Sequence, residues 1–377
     1  MTRGPGSTPP VSPRLATPAD NERLLELFGA VPMQGELVLS TQRSPDFFRL
    51  YDIQRGTAEV WVHEAAEGLS AMGTFFAREG WLDGRECRVG YLGDLRTRFS
   101  ARRHRSVARF YGPLLEEVAR RLGVETFLTS VMATNAAALQ ALVRRQERRM
   151  AQPEYTLLRR FSAVSVHFTH RRAPAGPLPR APRPARGRAG HGGAAGRGSP
   201  RATLRLPLRP GRAATPAGPL AGARRGGVLP AFDERGALVG CTSVWDPHEV
   251  KRYRVLAYRG SMRWVKWGYD AMATVLRSPR LPEPGQDFRY FYLCDTSITG
   301  DNPAILRALV ERVYADHQDR GYHFFSLYMG EADPLQPALR GFFQRRLDFH
   351  LYAVTPASLA GRPLPPGGRT GFEMALA

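Results

Sequence analysis

The chain has 377 residues, 43% apolar and 10% aromatic, enough to bury sizeable cores and too many for global disorder. Its 54 basic against 34 acidic side chains give a net charge of +20, a surplus that ordinarily points to phosphates, nucleic acid or an anionic membrane. That surplus is uneven: residues 171–230 hold 13 Arg and no Asp or Glu, which leaves only +7 of the +20 for the remainder.

Cys87, Cys241 and Cys294 lie far apart, with no CxxC or His-rich spacing. A disulfide framework and a zinc site are therefore not indicated, and a reducing cytoplasm fits. No run of eighteen apolar residues occurs and the first residues lack an apolar core, so neither a membrane span nor a signal peptide is expected.

Residues 1–13 are rich in Pro, Gly and Ser and read as a disordered tail. From Arg14 to about His170 the pattern is mixed α/β. Asp20 is a candidate N-cap before Leu24, Leu25, Leu27 and Phe28. Strand-like runs follow at Ala58–His63, Leu69–Phe76 and Cys87–Arg96, the last two joined through Asp83-Gly84, a tight-turn signal; together they predict an antiparallel meander. A basic loop, Arg98 to Arg105, leads to a helical stripe from Val107 to Leu122 that Pro113 should bend near Gly112. A buried strand (Thr126–Met132), a helix (Asn135–Arg145) and an extended element (Tyr155–Phe168) complete this half.

Residues 171–230 are built almost wholly of Arg, Ala, Pro and Gly, from which no core can form. From residue 231 globular composition resumes. Strands are expected at Ala237–Trp245, Phe288–Asp295 and Tyr322–Met329, with Asn302-Pro303 starting a helix before the third, and a helix–strand pair runs through Val354. Trp264 and Trp267, with Tyr258, Lys266 and Tyr269, read as a packed insertion between strands or as a pocket wall. Tyr91-Leu92-Gly93-Asp94 and Tyr292-Leu293-Cys294-Asp295 share Y-L-x-D at a strand end, each before a helix and a buried strand, which marks an internal repeat.

The step from a strand through basic residues to the small residues Ser106 and Ala108 at a helix start outlines an anion site. Arg103-His104-Arg105-Ser106-Val107-Ala108 resembles the R/Q-x-x-G-x-G/A loop of the GCN5-related N-acetyltransferases. The opening Arg14-Leu15-Ala16-Thr17-Pro18-Ala19-Asp20 and Asn135, after the Thr126–Met132 strand, are similar to that family too, over residues 14–170. Ser106 departs from the usual glycine, Arg102 is an alternative anchor to Arg103, and Leu142 stands where a general-acid tyrosine is often found. The resemblance implies an α/β (α+β) fold with a mixed, largely antiparallel sheet flanked by helices, in two copies, the second (231–377) incomplete and degenerate. It implies acetyl-CoA held by Leu95, Arg96, Thr97, Arg102, Arg103, His104, Arg105, Ser106, Val107, Ala108 and Asn135, and an acetyl group passed by direct attack to an amine on a small molecule or peptide. Asp94, at the strand end, is the candidate for binding or deprotonating that amine. The second copy, whose Asp301 would repel a pyrophosphate, would shape the substrate cleft or a homodimer. The alternatives are a non-catalytic acyl-CoA-binding regulator of the same fold and a non-specific nucleic-acid binder using the arginines of 171–230, which lack interleaved aromatics for base stacking.

About fifty to sixty residues of this fold should precede the Ala237–Trp245 strand, the span that the Arg/Ala/Pro/Gly tract fills. Those four residues are encoded by codons opening with two G or C bases, and among the basic residues only Lys251 and Lys266 are lysines. The tract is thus either a natural flexible linker or a stretch read out of frame from near His170 to near Leu229. Translating the gene's other two frames decides: amphipathic strand and helix patterns in one of them establish the frame shift, and their absence from both leaves the linker.

Overall fold

A computed structural model describes residues 12–54, 56–65, 68–82, 85–98, 101–143, 152–173, 225–276 and 278–361. The first half runs β1 (Arg14–Leu15), α1 (Asn21–Ala30), β2 (Leu37–Gln42), α2 (Arg49–Ile53), β3 (Thr57–Ala65), β4 (Gly68–Leu82), β5 (Arg85–Thr97), α3 (Ala101–Leu122), β6 (Phe127–Met132), α4 (Ala136–Ala138) and β7 (Glu154–His167). The second runs β8 (Arg225–Phe232), β9 (Leu238–Trp245), β10 (Arg252–Tyr258), α5 (Met262–Leu276), β11 (Tyr290–Ile298), α6 (Pro303–His317), β12 (Phe324–Gly330) and β13 (Gln344–Thr355). The class is mixed α/β with a large, mostly antiparallel sheet flanked by helices, as expected. No helix among the described residues is long and apolar enough to cross a membrane.

The β3–β4–β5 meander forms as its alternation predicts. Val60 and Val62 pack with Leu24, Leu27 and Phe28 of α1, while the intervening Trp61 packs with Leu115 and Val118 of α3 on the opposite face. The Asp83-Gly84 turn lies outside the described residues. Asp20 stands before α1 but its side chain takes no capping bond from a helix amide. Its carboxylate instead takes bonds from the Arg14 guanidinium at 2.7 and 2.8 Å and from the Thr17 amide at 2.9 Å, because an ionised donor outcompetes the free helix-end amides.

Three further expectations are corrected. α3 begins at Ala101, so Arg102 to Arg105 lie in its first turns, not in a loop, and it continues past Pro113 to Leu122 as one helix. Ala and Arg are strong helix formers, and no glycine interrupts the first turns. The last residues of the Arg-rich tract, from Arg225, form β8, because the open edge of β9 offers them a ladder. In the Trp264 region the packed-insertion reading holds for Tyr258 and Tyr269, which pack against the second half's core, but fails for Trp264 and Trp267, which on α5 are 77% and 73% exposed. Two strands go unanticipated, β2 and β10, which pair with each other antiparallel from Gln42↔Arg252 to Leu37↔Tyr258 and tie the halves together.

Eleven strands form one sheet in the order β1-β3-β4-β5-β6-β13-β7-β12-β11-β9-β8. The halves are interleaved. β13, last in sequence, pairs with β6 of the first half, and β7 pairs with β12 of the second. β13 and β7 also pair with each other over twelve positions, Gln344↔Val166 to Thr355↔Glu154.

The Y-L-x-D echo recurs in three dimensions. β5 pairs in parallel with β6 at Gly90 and Tyr91, and β11 with β12 from Tyr290 to Tyr292. Beyond those pairs each strand carries the same two-against-one bulge: Asp94-Leu95 opposite Gly73, and Asp295-Thr296 opposite Thr242. Asp94 (φ 54°) and Asp295 (φ 51°) both adopt the left-handed backbone that non-glycine residues rarely take. Leu92 packs toward α3 and Leu293 toward α6, the helix following each strand.

Interleaving predicts cooperative unfolding. Leu351, from the chain's far end, is fully buried among Val89, Leu128 and Phe161. Leu351→Ala should lower the unfolding free energy by about 2–5 kcal/mol, with tryptophan fluorescence and circular dichroism reporting one shared urea midpoint. Separate midpoints would mean that the halves unfold independently.

Candidate active site

The site begins where β5 and β6 part. Their last parallel pairs are Gly90↔Phe127 and Tyr91↔Leu128. At Gly90 a Cβ would lie 2.2 Å from Phe127 Cδ1, so only glycine lets the Phe127 ring sit at the head of the gap. Below it, Leu92 to Thr97 have no ladder partner on the β6 side; the Leu92 carbonyl instead accepts from the Thr129 hydroxyl at 3.0 Å. A cavity of about 480 Å³ opens at this gap. Trp61, Tyr111, Leu114 and Leu142 line it on the α3 side, and Asp94, Arg96, Lys251, Tyr253, Tyr290 and Tyr292 on the other. It therefore connects the two faces of the sheet through the sheet itself.

Asp94 is the centre of the polar wall. The bulge and left-handed backbone turn its carboxylate toward Arg43, which follows β2, and Tyr51 of α2. Arg43 Nη2 donates to Asp94 Oδ2 at 2.7 Å and the Tyr51 hydroxyl donates to the same oxygen at 2.5 Å. Arg43 Nη1 bonds Tyr51 Oη at 2.7 Å, and Tyr51 meets the Thr74 hydroxyl at 2.8 Å. Arg43 is caged by the rings of Phe28, Phe47 and Tyr51 at 4.8 to 5.0 Å, and its side chain is 2% exposed. Burial alone would raise the Asp94 pKa, but Arg43, the Tyr51 bond and the charges of Arg96 and Lys251 hold it below the usual carboxylate range. Such a group is a poor proton acceptor and a good anchor. Both bonds fall on Oδ2; Oδ1 takes none among the described residues.

The second half supplies the complementary group. Tyr253, on β10, stacks on Tyr290 with ring centroids 5.1 Å apart. Burial pushes its phenol up, but the charge of Lys251 and hydrogen bonds with Tyr292 and Lys251 outweigh that and leave it below the ordinary tyrosine value. Across the gap, Tyr111 and Tyr155 share a 2.6 Å hydroxyl bond, and burial pushes Tyr111 up to about 12, so it stays a proton donor. These hydroxyls stand on the side where Leu142 offers none.

Of the residues expected from sequence, Asp94, Leu95, Arg96 and Asn135 line the cavity. Thr97 pairs with Ala71 at the end of β5. Asn135 caps α4, its Oδ1 accepting from the Ala138 amide at 3.1 Å. The backbone of α3 is described throughout, but the side chains of Arg102, Arg103, His104, Arg105, Ser106, Val107 and Ala108 lie outside the described residues. Sequence reasoning missed Arg43, Tyr51, Lys251 and Tyr253. The period-2 alternation of Arg252–Tyr258 was the available signal for the last pair.

No family model matches the chain, and no curated protein matches it. Among solved structures it is similar to a probable N-acyltransferase of unknown function from Enterococcus faecalis V583, at 8% identity over 92% of this chain and 72% of that one, TM-score 0.43. It is also similar to Saccharomyces cerevisiae N-myristoyltransferase with bound myristoyl-CoA, at 9% identity over 92% of this chain and 84% of that one, TM-score 0.49. At these values neither carries the functional reading, which rests on the geometry of the gap.

Asp94→Asn strips the buried Arg43 of its counter-charge and should cost about 3–5 kcal/mol. The sign with pH follows from the depressed value. Asp94 contributes stability above its unfolded value of 3.8 and loses it as pH falls through the lower folded value. Urea midpoints of wild type and variant should therefore stay separated from pH 7 to about 4 and converge as pH falls below 3.8; curves that remain parallel there would remove Asp94 from the acid response.

Proposed function

We propose that the chain is an N-acyltransferase that passes an acetyl group from acetyl-CoA to an amine by direct attack. One observation carries this reading: a cavity that pierces the sheet at the β5/β6 gap and presents unpaired strand backbone beside an anchored carboxylate and a tyrosine of lowered pKa. The residues fit an acyl-CoA. β5 from Leu92 to Thr97 offers free strand edge to an extended amide-bearing arm, Trp61, Leu114 and Leu142 offer apolar wall, and Asn135 lines the gap. Bound there, acetyl-CoA supplies a thioester carbonyl as the electrophile.

The chain's own residues do the remainder. Backbone N–H groups of β5 that lack a β6 partner are donors for the carbonyl oxygen. Asp94 Oδ1 holds the amine. Tyr253, kept acidic by Lys251, accepts the proton as the C–N bond forms. As the C–S bond breaks the sulfur gains a proton, so the amine's lost proton is balanced by the thiol's. The acceptor approaches from the Tyr253 face and the donor from the α3 face, which keeps the reactants apart until they meet in the gap.

Calorimetry of acetyl-CoA with the full chain should show saturable binding, and an amine screen should show transfer. Tyr253→Phe should lower kcat by about 10²–10⁴-fold with little change in acetyl-CoA affinity. The wild-type rate should rise with pH through a value below 10, a limb the Phe variant lacks. A folded chain that does not bind acetyl-CoA would overturn the proposal.

A further inference from the structure

Resting on that reading, we infer that the acceptor is an amine that carries its own anionic group, in its simplest form an amino acid with a free carboxylate. The argument comes from the charges on the cavity wall. Asp94 is the only carboxylate among the described residues lining it, and Oδ2 of that carboxylate is already taken by Arg43 and Tyr51. Arg96 and Lys251 line the same cavity. Three cations thus meet one carboxylate, and even with Tyr253 ionised a positive charge is left over.

Arg96 shows where the missing anion belongs. It sits two residues beyond Asp94 on β5, with its guanidinium 4.5 Å from the Phe28 ring centroid and Nη1 bonded to the carbonyl of the neighbouring Leu95 at 3.1 Å. Its Nε is buried and makes no hydrogen bond. Arg43, Arg172 and Arg252 also have a buried Nε with no hydrogen bond, but of the four only Arg96 lines the cavity, where a ligand can offer its guanidinium an acceptor. Burial and the neighbouring Arg43 charge weigh against the charged form of Arg96, and Asp94 only partly offsets them. A carboxylate on the substrate relieves this through charge-assisted bonds.

The two contact points suit one small molecule. Asp94 Oδ1, free to accept, takes the ammonium or amine N–H groups, and Arg96 takes the anion, so both ends are fixed by residues on one strand. Lys251, bonded to Tyr253, adds its charge to the same wall. The cavity of about 480 Å³ must also take the acyl end of the donor, which limits the acceptor to amino-acid size. An uncharged amine makes the first contact and leaves the second unmade.

The test uses the full chain and amine pairs that differ in one group: alanine and ethylamine, phenylalanine and 2-phenylethylamine, with 2-aminoethyl phosphate as the phosphate counterpart of the carboxylate. The carboxylated partners should show at least about tenfold higher kcat/KM. Arg96→Gln should shrink that preference by raising KM for the amino acid by a larger factor than KM for the plain amine, and Arg96→Lys should restore part of it. If the phosphate compound is preferred over both carboxylates, the anion site stands and the amino-acid assignment falls. Equal use of both members of each pair, or equal damage to both by Arg96→Gln, overturns the inference while leaving acyl transfer intact. Should no transfer occur at all, calorimetry of the same pairs decides separately: amino-acid binding lost in Arg96→Gln upholds the anion site without the acyltransferase, and absence of preferential binding overturns it.

Discussion

The buried pair of Arg43 with Asp94 is the interaction around which the molecule is arranged. A guanidinium 2% exposed is tolerable only if its charge is matched, and the partner must arrive with its carboxylate aimed inward. Asp94 does so because a bulge inserts an extra residue into β5 at that point and a left-handed backbone redirects the side chain. A β-strand without the bulge would send residue 94 along its ordinary alternation and could not widen beside β6. The local strain of a non-glycine left-handed residue, of order 1–3 kcal/mol, is thus offset by a contact to which three elements contribute: Arg43 after β2, Tyr51 of α2 and Thr74 of β4.

β2 is held in place chiefly by β10, a strand of the second half, and β10 brings Tyr253 and follows directly on Lys251. The same pairing that positions Arg43 against Asp94 therefore also brings the tyrosine to the cavity on the side of Asp94. Exchange of β7 and β13 between the halves locks that relation, since neither half completes its sheet alone. The second half contributes to the site through this inserted strand. Its own repeat of the bulge, at Asp295, is followed in the chain by Asp301 ahead of α6, where the first half has arginines.

How far the sequence disclosed this depended on whether a residue belonged to a local pattern. Asp94 was legible because Y-L-x-D recurs at Tyr292–Asp295, and the meander was legible because Val60, Trp61 and Val62 alternate between two cores. Arg43, Tyr51, Lys251 and Tyr253 were not, for a physical reason: they meet through a two-stranded pairing across more than two hundred residues of chain, and nothing local to Leu37–Gln42 or Arg252–Tyr258 records the partner. The start of α3 was misread for the opposite reason. A local motif suggested a loop at Arg102–Arg105, but Ala101 and the arginines are good helix formers and the chain simply continues the helix.

The two repeats show how one geometry can be kept while its chemistry changes. In both, a strand pairs in parallel for two or three residues, bulges at an aspartate and hands over to a helix packed on the same face. In the first, glycine at position 90 admits Phe127 and the gap below stays open as a cavity; in the second, the equivalent position is Phe291, fully buried against Phe325 at 5.4 Å. A ring of that size at the head of the splay fills with core what the first repeat leaves as cavity. The small residue at 90 and the bulge at 94 are therefore both required: the bulge alone, present in each half, widens the strands, but only where the ring comes from β6 and none from β5 does the cavity open.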